Sequence, residues 1–227
     1  MLIVKDNPKS PISEAYRTLR TNIQFSNFDD DMNVILVTSS GPSEGKSTTA
    51  SNLALAMAET SKRVLLIDCD LRKPSLHKKF NISNNKGLSN LLIGQHKFND
   101  VARKYNENLY ILTSGTIPPN PSEMLSSRKM SNFLDEAKSN FDFVILDTPP
   151  VIAVTDAQIL STMVGGVLLV IAAGQADIGA TQKAKELLDH VKANIIGVVL
   201  NKAEVSNGKN YGYYHYYYGE GKHDKKK

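Results

Sequence analysis

A single cysteine, Cys69, in 227 residues rules out an intrachain disulfide, and a lone thiol suits a reducing cytosol. Long apolar runs are missing too. The longest, residues 167–173, falls far short of the ~20 residues that a membrane-crossing helix needs. The opening MLIVKDNPKS has no apolar stretch followed by a cleavage site, so no secretory signal is expected. No segment of about 20–50 residues repeats, and the five histidines show no metal-ligand spacing. Charge of one sign is scarce as well. The 27 Lys and Arg against 23 Asp and Glu leave +4, of which the segment from Ala203 onward, with five Lys and three acids, supplies +2. That balance is no nucleic-acid footprint, and no nucleic-acid partner is expected.

What is present is a chain 41% hydrophobic, enough for a substantial core. Residues 10–25 read as an amphipathic helix. Pro11 suits its first turn, and Ile12, Ala15, Tyr16, Leu19 and Ile23 recur at helical spacing. Asp29, Asp30 and Asp31 then end it as a polar loop. Short apolar runs at 34–38, 63–68, 109–113, 141–147, 166–172 and 195–201 read as strands, buried on both faces where the run is unbroken. Helices are predicted at 47–60, 86–93, around 122–139 and at 179–192, with a rigid turn at 118–121. The alternation predicts one doubly wound, mostly parallel α/β domain over residues 1–203. Residues 204–227 hold turn formers, Tyr and Lys without periodicity, and predict a disordered, flexible tail.

Three motifs carry chemistry. SSGPSEGKST, residues 39–48, joins a strand to a helix, the setting of a phosphate-binding loop. Its backbone N–H groups would face phosphates, Lys46 would reach the outer ones, and Ser47 could ligate Mg²⁺. The pattern G-x-x-x-x-G-K-[ST] is not fully met, because Ser40 stands where its first glycine belongs and Gly41 follows one place later. LLIDCDLRKP, residues 65–74, ends a strand on Asp68 and Asp70, which point the same way if the strand runs on through Asp70. They could share one metal, or one could hold metal while the other accepts a proton. Cys69 between them faces away. FDFVILDTPP, residues 141–150, delivers Asp147 from an apolar strand, as the acid near a P-loop Mg²⁺ is delivered. All three lie at strand C-terminal ends, where an open α/β sheet binds ligands.

Together with GTIPPNPSEML and a tyrosine-rich end, these motifs resemble the bacterial protein-tyrosine kinases of capsule and exopolysaccharide systems, over essentially the whole chain. The resemblance implies a sheet of P-loop NTPase type, with ATP and Mg²⁺ as cofactors held by motifs known there as Walker A, A′ and B. It implies that Asp68 activates the acceptor tyrosine, within a catalytic set of Asp68, Asp70 and Lys46. Ser47, Asp70 and Asp147 would bind or orient Mg²⁺. Ser43, Glu44, Gly45, Lys46, Ser47 and Thr48 would hold ATP, and Asn201 falls where relatives of the fold contact the base. Glu14, Arg17 and Arg20 form an E-x-x-R-x-x-R pattern spanning ~120° of helix surface. The family uses it to assemble rings in which one subunit's tail enters the next subunit's active site.

The tail holds six of the nine tyrosines: Tyr211, Tyr213, Tyr214, Tyr216, Tyr217 and Tyr218. A coil of about 24 residues spans roughly 27 Å, and up to ~80 Å if pulled straight. Tethering sets an effective concentration on the order of millimolar. These tyrosines are expected to be the kinase's own acceptors, their phosphates loosening the ring by repulsion. The family also implies a transmembrane adaptor whose cytoplasmic segment activates the site, cytoplasmic residence at the inner face of the membrane, and an opposing phosphatase. Two other readings remain open. A positioning ATPase of the cell-division type would carry a second lysine early in the loop, where Gly41 sits. A regulatory module would bind ATP without transferring phosphate. GTP is disfavoured, because Lys202 is followed by Ala203 and Glu204 rather than by x-Asp.

Overall fold

Val34–Ser39 (β1), Val64–Asp68 (β2) and Phe143–Asp147 (β5) are buried at every position. A strand covered on both faces has no polar side, which is why their sequences show apolar runs rather than alternation. A computed structural model describes residues 1–26 and 33–203 of the chain. The remaining strands are Ala102–Lys104 (β3), Leu109–Leu112 (β4), Gly166–Ala172 (β6) and Ile195–Asn201 (β7). Helices cover Ile3–Asp6 (α1), Pro11–Ser26 (α2), Lys46–Ala58 (α3), Leu76–Phe80 (α4), Leu88–Leu92 (α5), Phe98–Val101 (α6), Pro121–Leu125 (α7), Arg128–Asn140 (α8), Asp156–Ser161 (α9) and Ile178–His190 (α10). The sheet order is β3-β4-β2-β5-β1-β6-β7. Every pairing is parallel except β3 on β4. This is the doubly wound, P-loop-type α/β fold that the sequence predicts.

Alternate residues of the central strands feed two apolar layers. Ile35 and Val37 of β1, Val64 and Leu66 of β2, and Phe143 and Ile145 of β5 pack with α2, α3 and α4. Val34, Leu36, Leu65, Ile67, Val144 and Leu146 pack with α8, α9 and α10. The period of two then fixes the site, since Asp68 and Asp147 follow on the α3 side at the next step. They are also register partners across β2 and β5. Cys69 belongs to the opposite layer, where burial pushes its thiol far up and keeps it protonated.

Several boundaries differ from expectation. β2 stops at Asp68, although the Cys69 N–H still donates to the Asp147 carbonyl, so Asp70 sits just past the strand. The helices predicted around 122–139 are α7 and α8, with Ser127 capping the second. Edge strand β3 (Ala-Arg-Lys) is exposed and polar at two of three positions and shows no hydrophobic period. Ile12 is exposed, whereas Ser13 is buried and donates to the Ile3 and Asn7 carbonyls. The loop at Asp29–Asp31 and the tail with its six tyrosines lie outside the described residues. Among the described residues no helix is long and apolar enough to cross a membrane.

Candidate nucleotide and phosphotransfer site

The phosphate loop runs from β1 into α3. At its end Gly45 takes φ +100°, and a Cβ there would meet the Asn201 Nδ2 at 1.9 Å. Only glycine satisfies both conditions. Asn201, at the end of β7, donates that Nδ2 to the Glu44 carbonyl at 2.9 Å, and Lys202 donates to the Ser43 carbonyl at 2.9 Å. The family resemblance puts Asn201 where relatives contact the base; here its amide nitrogen also ties β7 to the loop backbone. Ser43 itself has φ +62°. The departure at Ser40 is also explained. Its buried hydroxyl donates to Glu44 Oε1 at 2.5 Å, beside the Gly41 N–H at 2.8 Å. The Ser40 side chain thus holds the loop by bonding Glu44, the residue before Gly45. Gly45→Ala is expected to abolish nucleotide binding in calorimetry while leaving the far-ultraviolet circular dichroism unchanged, since the clash involves only the loop and one side chain at the end of β7.

Lys46, the first residue of α3, is 13% exposed and reaches Asp70 Oδ2 at 3.3 Å and Asp147 Oδ1 at 3.7 Å. Burial works against its ammonium, but Asp147 and Asp70 outweigh that and raise its pKa. Asp68 is wholly buried, accepting N–H groups of Ser75 and Leu76 on Oδ2 at 3.0 and 2.9 Å and of Asp70 on Oδ1 at 3.3 Å. Burial first, then the neighbouring Asp147 carboxylate, pushes its pKa up to about 7 against those amides. Asp147 is also raised, chiefly by burial, with Lys46 opposing.

Both Asp147 carboxylate oxygens are buried without a hydrogen-bond partner. A buried carboxylate beside a P-loop serine, offset only by the Lys46 ammonium at 3.7 Å, fits a divalent cation. Ser47, whose hydroxyl accepts from Lys46 Nζ at 3.2 Å, and Asp147 could hold such a cation, with Asp70 near by. Among the described residues no group of three His, Cys, Asp or Glu could hold a metal alone.

Two features were not foreseen. Arg72, two residues past Asp70, forks onto both oxygens of the fully buried Asp156 at 3.0 and 3.1 Å, and Ser122 donates to the same carboxylate at 2.7 Å. The GTIPPNPSEML segment is thereby tied to the loop carrying Asp70. Lys79 of α4 reaches Thr48; five residues of helix are too few for periodicity to reveal it. The proposed interface trio is partnered within the chain. Arg17 forks onto Glu59 at 2.8 and 2.8 Å and also bonds Glu14, while Arg20 donates to the Ala56 carbonyl at 2.7 Å.

A sequence profile of the AAA domain family matches residues 32–196. The tyrosine-protein kinase YwqD of Bacillus subtilis is 46% identical over 214 residues, covering 94% of this chain and 90% of its own. The putative tyrosine-protein kinase CapB of Staphylococcus aureus is 42% identical, covering 96% of this chain and 95% of its own. Among solved structures, the chimerical protein CapA2B2 superposes with a TM-score of 0.85 at 45% identity, covering 89% of each chain.

Proposed function

The chain belongs to the bacterial tyrosine-protein kinase family, and from that premise we propose that it transfers the γ-phosphate of ATP to tyrosines of its own C-terminal segment. The observation that carries this reading is the convergence of Asp68, Asp70 and Asp147 with Lys46 and Ser47 at the C-terminal edge of the sheet. Phosphoryl transfer asks a protein chiefly for positioning and for cations against the phosphate charge. The loop amides and Lys46 bind and orient the triphosphate. Ser47 and Asp147, with Asp70, would hold Mg²⁺, which when bound neutralises charge on the outer phosphates. Asp68 accepts the proton of the attacking tyrosine hydroxyl as the new O–P bond forms and ADP leaves. A carboxyl with a pKa near 7 is poised for that exchange.

The acceptors on this reading are Tyr211, Tyr213, Tyr214, Tyr216, Tyr217 and Tyr218, phosphorylated in trans within a ring built on Glu14, Arg17 and Arg20. Ring assembly then requires Arg17 and Arg20 to exchange or share Glu59 with a neighbour. A membrane adaptor's cytoplasmic segment would activate the site at the inner membrane face, a phosphatase would reverse the reaction, and capsule or exopolysaccharide synthesis would be the process controlled.

Mixing two defective chains tests transfer in trans. One is a Lys46→Met chain with its tail, the other an active chain ending at Ala203. Phosphotyrosine on the first chain supports the reading. Label that never appears on it, under conditions where the wild type labels itself, would restrict transfer to within one subunit.

A further inference from the structure

α4 presents Leu76 and Phe80, four residues apart, to the core, and Lys79, beside them on the helix, reaches the phosphate loop. Lys79 Nζ donates to Thr48 Oγ1 at 2.9 Å. Thr48 lies in the first turn of α3. The helix ladder opens with Thr49 N–H on the Gly45 carbonyl, so the amides of Lys46, Ser47 and Thr48 precede it without intrahelical acceptors. Such amides make an anion cradle. Lys46 occupies one side, against Asp70 and Asp147; Lys79 stands at the other, over Thr48.

The charge of Lys79 has no close partner. Among the described residues no carboxylate lies within ion-pair distance of it, its hydrogen-bond acceptor there is a neutral hydroxyl, and burial and repulsion from Lys46 oppose the attraction of Asp147. A half-buried ammonium so placed gains from any anion brought to the cradle. Lys46 and Ser47 take the outer phosphates and their cation in a P-loop, which leaves the inner phosphate for the Thr48 end.

We propose that Lys79 is a second cationic phosphate ligand of this site, placed for the α-phosphate of ATP and ADP alike. The assignment rests on the reading of the site as an ATP site, which it extends. It also gives the loop a second lysine from outside its own sequence, where Gly41 supplies none.

The test is calorimetric binding of Mg-ADP and Mg-ATP to the full chain at fixed ionic strength. Lys79→Ala is expected to weaken both nucleotides about tenfold or more, as loss of one charge-assisted contact does. Lys79→Arg should recover most of the affinity, and the nucleotide-free melting temperature of Lys79→Ala should stay within about 2 °C of wild type. Affinities within twofold of wild type, or a loss confined to ATP, overturn the α-phosphate assignment. If Lys79→Ala melts lower, Lys79→Gln decides, since it keeps a donor to Thr48 without the charge. A tenfold loss then supports the proposal, and wild-type affinity shows Lys79 to be only a strut between α4 and α3. A wild-type chain that binds neither nucleotide sinks the ATP-site reading and the proposal with it. Wild-type binding with an indifferent Lys79→Ala sinks the proposal alone.

Discussion

Lys46→Met is expected to cut tyrosine phosphorylation by a factor of about 10²–10³, the usual cost of removing one preorganised group that meets transition-state charge. The variant loses the only cation within ion-pair distance of both Asp70 and Asp147 among the described residues. Its effect on the fold should be small, because methionine keeps the stem that fills the space under the ammonium. Two carboxylates nevertheless lose their counter-charge, so the nucleotide-free protein should bind Mg²⁺ no worse than wild type while using ATP far less well. Initial rates with γ-labelled ATP, alongside Mg²⁺ titration of the nucleotide-free chain, separate the two effects. A variant that retained most of the wild-type rate would remove Lys46 from the mechanism.

Asp68→Asn should act in opposite directions on activity and on stability. As proton acceptor, Asp68 accounts for about 10²–10⁴ in rate, and an amide cannot replace it. The folded protein, however, holds Asp68 as an acid with a pKa near 7, against 3.8 for an ordinary aspartate. Between those values the native state binds a proton that the unfolded state has released. Stability therefore falls as pH rises through that window, and the full penalty is reached above pH 7. It amounts to something on the order of 2–4 kcal/mol without metal or nucleotide. Asparagine removes the ionisation while its carbonyl still accepts from Ser75 and Leu76. The nucleotide-free variant should then melt several degrees above wild type at pH 8, with the gap closing by pH 4.5. Wild-type and variant curves that run parallel across that range would contradict the raised pKa. Asp147, raised in the same direction by burial, steepens the wild-type profile without changing its sign.

How far the site was legible in the sequence depended on the range of the signal. β1, β2 and β5 show as apolar runs because both their faces are covered, and each ends on or just before its functional residue. Asp68 and Asp147 could thus be placed on one side from strand period alone, while Asp70 required the strand to continue, which it does not. The Ser40 departure looked like a defect in the motif, yet the hydroxyl–Glu44 bond it makes joins residues only four apart. Other contacts were beyond reach because they join distant segments through helices too short to have a period. Lys79 to Thr48 spans 31 residues and Arg72 to Asp156 spans 84. The E-x-x-R-x-x-R pattern showed which charges share a helix face but not that Glu59, from α3's end, would meet them.

One measurement bears most directly on the central claim. The full chain, a chain ending at Ala203 and the Lys46→Met chain are each incubated with Mg²⁺ and γ-labelled ATP. Each is run with and without the cytoplasmic segment of a candidate membrane adaptor, and phosphate is mapped by mass spectrometry. The account predicts label on residues 211–218 of the full chain, increased by the adaptor segment and absent from both variants. Release of phosphate with no label on any tyrosine, even with the adaptor present, would contradict it and leave an ATP-hydrolysing switch as the reading of this site.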